Sequence, residues 1–259
     1  MSITEVKDQF ISAQWGSFLE ESIIHLDQAR EIYVMNKSEE NGRSGSGRRK
    51  AIAIAENIPA SVSITLAVTA LEGATNTAAY WKKIAEFNQW LFLTKRIKSF
   101  VSLANNLEQA VVEISVVRDC IIHGWIWQKS RRFAEDYTTK FIKSYLWKPF
   151  KANQRKKFDN FVNLPKRSTS QFSFSIIPID VNFIDGLMTL LVVEKILEIF
   201  GYKDKVLRLY TAKNCGFSKQ TAEIPADNNF CTLEDWIKYF AKELEANDKK
   251  TFDFLNNKL

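Results

Sequence analysis

The chain has 259 residues, 46% of them hydrophobic and 25% charged, enough apolar surface for one large core or two small ones and too much for an intrinsically disordered protein. Its net charge of +6 is uneven: between Lys129 and Arg167 twelve Lys and Arg stand against Glu135, Asp136 and Asp159, a local +9 that leaves the rest of the chain at −3. Cys120, Cys215 and Cys231 are too few and too scattered for a disulfide framework or a paired-thiolate metal site, and a reducing cytoplasm is expected.

MSITEVKDQF has neither the basic start nor the apolar run of a secretory signal, and the apolar run LMTLLVV is cut by Glu194 and Lys195, so no membrane span is expected. Residues 3 to 35 space Phe10, Trp15, Phe18, Leu19, Ile23 and Leu26 as one helix would. NKSEENGRSGSGRRK, 36 to 50, breaks that pattern and reads as a flexible linker.

From Pro59 three apolar helices are expected in succession, over residues 61–83, 84–103 and 105–124. The third has a capping-box pattern at Asn106 and Gln109 and a terminating Gly124, so that residues 107 to 123 would span roughly 25 Å. The basic segment that follows interleaves Phe133, Tyr137, Phe141, Tyr145, Trp147, Phe150, Phe158 and Phe161 with its lysines and arginines. Two readings stand: rings stacking on unpaired bases while Lys129, Arg131, Arg132, Lys140 and Lys143 track phosphates, or an amphipathic helix with a solvated basic face. SQFSFSII, 170 to 177, alternates like a strand; Phe183 to Phe200 reads as a core helix ended by Gly201, and Thr232 opens another.

The expected fold is therefore all-α with at most a minor β element near 170–177. Its parts are an N-terminal helix (1–35), the linker, a helical domain (51–205) and a C-terminal helical extension packed on the same core (206–259).

Within the third apolar helix, VVRDCIIHG places Arg118, Asp119 and His123 among residues otherwise fit for a core. On a helix Asp119 and His123, four apart, share a face, while Arg118 and His123 diverge by about 140°. A carboxylate beside the imidazole and a place at the helix C-terminus both favour the protonated ring, poising His123 as an acid or base near neutral pH. Surrounded by aliphatic residues, the charged groups need a partner surface, which either the rest of the fold or a second copy of the helix across a two-fold axis could supply.

Arg118, Asp119, Cys120, Ile121, Ile122, His123, followed by a glycine at the end of a core helix, resembles the R-x4-6-H motif of the HEPN superfamily, over roughly residues 59 to 205. The resemblance implies a helical bundle that dimerises through the motif helix and cleaves RNA in a composite cleft without a metal. His123 would be the acid/base, Arg118 the phosphate anchor and Asp119 the partner that orients the histidine. Glu72 and Asn76, four apart on the first apolar helix, would complete that cleft or tie two helices together.

No HExxH, CxxC, P-loop or GxGxxG pattern is present, and His25 is the only other histidine, so no metal or cofactor is expected. The partners expected are RNA, a second copy of the chain, and a cognate inhibitor or activator if the protein acts as a toxin or antiviral-defence effector. The competing class is a non-catalytic module that uses the same helix to dimerise and the basic segment to bind RNA or protein.

Overall fold

A computed structural model of the chain describes residues 3–40, 46–82, 92–122, 127–129, 139–141, 160–163, 165–177, 180–202 and 233–247. The fold is all-α with minor β elements. Among the described residues there are six helices: α1 (Ile3–Glu40), α2 (Ser46–Trp81), α3 (Leu93–Lys98), α4 (Asn105–Ile122), α5 (Phe183–Ile199) and α6 (Leu233–Asn247). Two short antiparallel ribbons accompany them, β1 (Trp127–Lys129) with β2 (Thr139–Phe141) and β3 (Val162–Asn163) with β4 (Ser168–Thr169).

α1 and α2 form an antiparallel hairpin. Asn36 Nδ2 donates to Glu56 Oε2 at 3.1 Å near its closed end, and Ser22 Oγ donates to the Ser63 carbonyl at 2.9 Å midway. Near its open end the backbones come so close that a Cβ added at Gly73 would lie 2.8 Å from Trp15 Cβ, which is why a glycine stands there. The apolar faces of both helices, including Leu19, Ile23 and Leu26 of α1 and Ile64, Val68 and Leu71 of α2, are buried in one core.

Within Ala55–Trp81 of α2 an 18-residue stretch reaches a mean hydropathy of 1.3, so by length and composition alone this helix could cross a membrane. Its burial against α1 and α5 is that of a central core helix. The expected start of this helix near residue 61 is corrected: α2 begins at Ser46 and continues through Pro59. Proline in a helix interior costs about 3 kcal/mol or more. The turn before it is tied to the rest of the fold through Glu56, which is fixed by Asn36 and by the Phe183 amide at 2.8 Å. The linker expected over 36–50 shrinks accordingly, since 36–40 finish α1 and 46–50 begin α2, and extending an existing helix needs no new nucleus.

α5 matches its expected bounds and is buried on most sides. Asn182 Oδ1 accepts from the Ile184 and Asp185 amides at 2.9 and 3.2 Å, while Asp185 Oδ2 accepts from the Asn182 amide at 3.1 Å, completing a capping box. At the other end Gly201 adopts φ +81°, and the amides of Gly201 and Tyr202 donate to the carbonyls of Glu198 and Leu197, both at 2.9 Å. That paired geometry is a Schellman ending, which requires the left-handed residue. α6 lays Leu233, Trp236, Ile237 and Phe240 into the same core, with the Phe240 ring edge-on to Phe183 at 6.0 Å.

The alternation in 170–177 governs burial: Phe172, Phe174 and Ile176 point inward. Among the described residues the segment's strand pairing is one bridge, between Ser168 and Ser175, flanked by Thr169 N donating to the Phe174 carbonyl at 2.8 Å and Ile176 N to the Arg167 carbonyl at 3.2 Å. Carboxylates replace much of the missing ladder, because Glu113 of α4, wholly buried, accepts from the Gln171 and Phe172 amides at 2.8 and 2.9 Å, and Asp185 Oδ1 accepts from Ser175 N at 3.1 Å. The ribbon at 127–129 and 139–141 lies in a segment for which no strand was expected.

Candidate functional site

Three helices bring a charged cluster together at one end of α4. α2 contributes Glu72 and Asn76, one turn apart on one face; α3 contributes Arg96; α4 contributes Arg118 and Asp119. Arg118 Nη2 donates to Glu72 Oε1 at 3.0 Å, and Arg96 Nη2 donates to the same oxygen at 3.3 Å. Arg96 Nη1 donates to Asn76 Oδ1 at 3.0 Å. Asp119 Oδ1 lies 3.0 Å from Arg118 Nε, an ion-pair approach whose alignment does not make a hydrogen bond. The cluster is graded in depth, from the Arg96 side chain at 8% exposure through Arg118 at 19% and Glu72 at 28% to Asp119 at 40%.

Two guanidinium groups thus share one carboxylate oxygen. Burial, followed by the neighbouring charge of Arg118, pushes the pKa of Arg96 below its ordinary value, and Glu72 opposes both effects. Arginine stays charged regardless, so the shift expresses an energetic cost carried by the folded state.

The site residues expected on α2 and α4 meet here: Glu72, Asn76, Arg118 and Asp119. Arg96 joins them without having been singled out. Its signal was present in the chain, since Leu93, Arg96 and Ile97 fall at i, i+3, i+4 and all three are buried, which places a charge on the apolar face of a helix. The capping box expected at Asn106 and Gln109 is not the one formed. α4 begins at Asn105, Glu108 N donates to the Ala104 carbonyl at 2.9 Å, and Asn106 Oδ1 accepts from the adjacent Leu107 amide.

His123 lies outside the described residues, as do Arg131, Arg132 and Lys143. Lys129 and Lys140 stand on β1 and β2 in adjacent rungs, paired with Thr139 and Gln128. Among the described residues no group of three or more His, Cys, Asp or Glu gathers as a metal site would.

A second group of buried carboxylates sits where α1, α2 and α5 meet. Glu56 and Asp185, each 6% exposed, serve backbone amides at and before the start of α5. Burial pushes Asp185 up to about 6 against the pull of the Ser175 and Asn182 hydrogen bonds, with Glu56 adding to the rise; Glu56 is itself raised, again chiefly by burial. These groups hold the fold, whereas the arginine cluster opens to solvent through Asp119.

No known protein family, curated protein or solved structure matches this chain.

Proposed function

We propose that the chain is a metal-independent endoribonuclease of the HEPN type, working as a dimer through α4 and the residues that follow it. The observation that carries this reading is the meeting of Arg118 with Glu72, one turn from Asn76: the motif arginine is held part-buried within a polar cluster built by an earlier helix. Ile122, next to His123, is 51% exposed, leaving an apolar side chain at the end of α4 that a second copy can cover.

RNA supplies its own nucleophile. The 2′-oxygen bonds to phosphorus as its proton passes to one His123, the P–O5′ bond breaks, and the departing oxygen takes a proton from the His123 of the other subunit. Arg118 stabilises the charge that builds on the phosphate oxygens. The products are a 2′,3′-cyclic phosphate and a 5′-hydroxyl, and DNA is not a substrate. Lys129, Arg131, Arg132, Lys140 and Lys143 guide the strand. The cellular role that goes with this chemistry is a cytoplasmic toxin or antiviral-defence effector, restrained or triggered by a cognate protein.

A second reading has its own support. Arg118 is already engaged by Glu72 and approached by Asp119, as in a network that ties helices together, and a non-catalytic dimerisation and binding module needs no more than that. The two readings part on one experiment: cellular RNA incubated with the protein in EDTA. Fragments with cyclic-phosphate ends from wild type, and none from His123→Ala, support the nuclease. Intact RNA with tight binding supports the module.

A further inference from the structure

We propose that Arg96 is a positioning residue for the phosphate site: by sharing Glu72 with Arg118, it keeps Glu72 from neutralising the guanidinium that receives the phosphate. The inference rests on the ribonuclease reading and adds to it a residue outside the motif.

The geometry carries it in three steps. First, Glu72 Oε1 accepts from Nη2 of both arginines, at 3.3 Å from Arg96 and 3.0 Å from Arg118, so one negative charge is divided between two positive ones. The two guanidiniums and Glu72 together carry +1, and the fourth charge, Asp119, balances it from the solvent side at 40% exposure. Second, Asn76 Oδ1 holds Arg96 Nη1 at 3.0 Å, so the plane of the Arg96 fork is set and Glu72 is pinned on the deep side of the cluster. Third, both Arg96 Nε and Arg118 Nε are buried with no aligned acceptor.

Arg118 Nε is thus a donor facing Asp119 without an aligned hydrogen bond, and an arriving phosphate oxygen can take it by displacing the exposed carboxylate while Glu72 stays behind. A helix-to-helix tie alone would be served as well by a packed apolar residue, because a charge this deep costs more to desolvate than one shared carboxylate oxygen and one amide oxygen return.

The test measures binding of an RNA strand made uncleavable by a 2′-deoxy substitution at the scissile position, to the full chain at low salt. Arg96→Met gives Glu72 wholly to Arg118 and should weaken binding on the order of tenfold, about the worth of one charge-assisted hydrogen bond. Glu72→Gln should tighten binding, and Glu72→Gln combined with Arg96→Met should recover the affinity that the single Arg96 variant loses. Arg96→Lys, which keeps the charge but cannot grip Asn76 and Glu72 together, should fall between Arg96→Met and wild type.

Loss of a purely structural tie would make the double variant no better than Arg96→Met, and that result overturns the proposal. So does an Arg96→Met protein that binds like wild type. If Arg96→Met does not fold, Glu72→Gln alone decides, because unchanged or weaker binding by it contradicts the charge division. A wild-type protein that cleaves RNA while these variants misbehave removes only the role of Arg96, whereas a wild type that neither binds nor cleaves removes the ribonuclease reading as well.

Discussion

Glu72 Oε1 and Arg118 Nη2, 46 residues apart in the chain, are 3.0 Å apart in the fold, and their hydrogen bond joins the central helix α2 to the helix that carries the motif. Neither side chain is fully buried, so the pair is worth more than a surface ion pair and less than a sealed one. A double-mutant cycle with Glu72→Gln and Arg118→Met should give a coupling of about 1 kcal/mol in denaturant unfolding. A coupling near zero would mean that Arg96 alone satisfies Glu72.

Activity and stability should separate at the motif. His123→Ala should reduce RNA cleavage by on the order of 10² to 10⁴ while leaving the melting temperature close to wild type, because α4 is held by Val111, Ile114 and Val117, all fully buried. Asp119→Asn should act in opposite directions on catalysis and on affinity. On the ribonuclease reading, losing a carboxylate that orients His123 lowers kcat, and losing the anion beside Arg118 lowers KM for RNA. Steady-state kinetics on a short RNA substrate resolve the two, and a fall in both kcat and affinity would remove Asp119 from its place as the displaceable anion.

The basic segment is tested through salt. Neutralising Arg131, Arg132, Lys140 and Lys143 should flatten the dependence of RNA affinity on salt, by about one unit of log–log slope for each phosphate that the variant no longer neutralises. An unchanged slope would return residues 129 to 167 to the role of a solvated face.

Legibility in the sequence followed the range of the forces involved. α5 was readable because its signals are local, an unbroken apolar body and a glycine at the left-handed position, while the Asn182–Asp185 capping box that fixes its start was a local signal left unread. Arg118, Asp119, Glu72 and Asn76 were readable as polar residues on apolar helices, since burial of charge needs a reason. Which residues meet was not readable. Arg96 reaches Glu72 only because α3 turns its buried face toward α2, a tertiary fact with no marker beyond i, i+3, i+4 spacing. The same holds for the continuation of α2 through Pro59, where distant partners, Asn36 and Phe183, steady the turn before the proline.

Stability should depend on pH through Asp185, whose carboxyl is pushed up to about 6 from an ordinary 3.8. A folded-state value above the unfolded one means that the native protein binds the proton more tightly. The stabilisation is therefore complete below about pH 4 and is lost as pH rises through 6. A shift of about two units is worth at most about 3 kcal/mol across that window. Glu56 and Glu20, raised as well and chiefly by burial, add losses of the same sign, so stability should fall as pH rises from about 4 through 6. Asp185→Asn keeps one acceptor oxygen, gives up one of the two carboxylate oxygens that receive Ser175 N and Asn182 N, and cannot ionise. Its unfolding free energy should thus vary less between pH 4 and 6 than that of wild type, with the remaining slope shared by Glu56 and Glu20, both also raised chiefly by burial. Urea unfolding at half-unit pH steps provides the measurement, and a variant whose slope equals that of wild type would show that Asp185 is already ionised in the fold at pH 4.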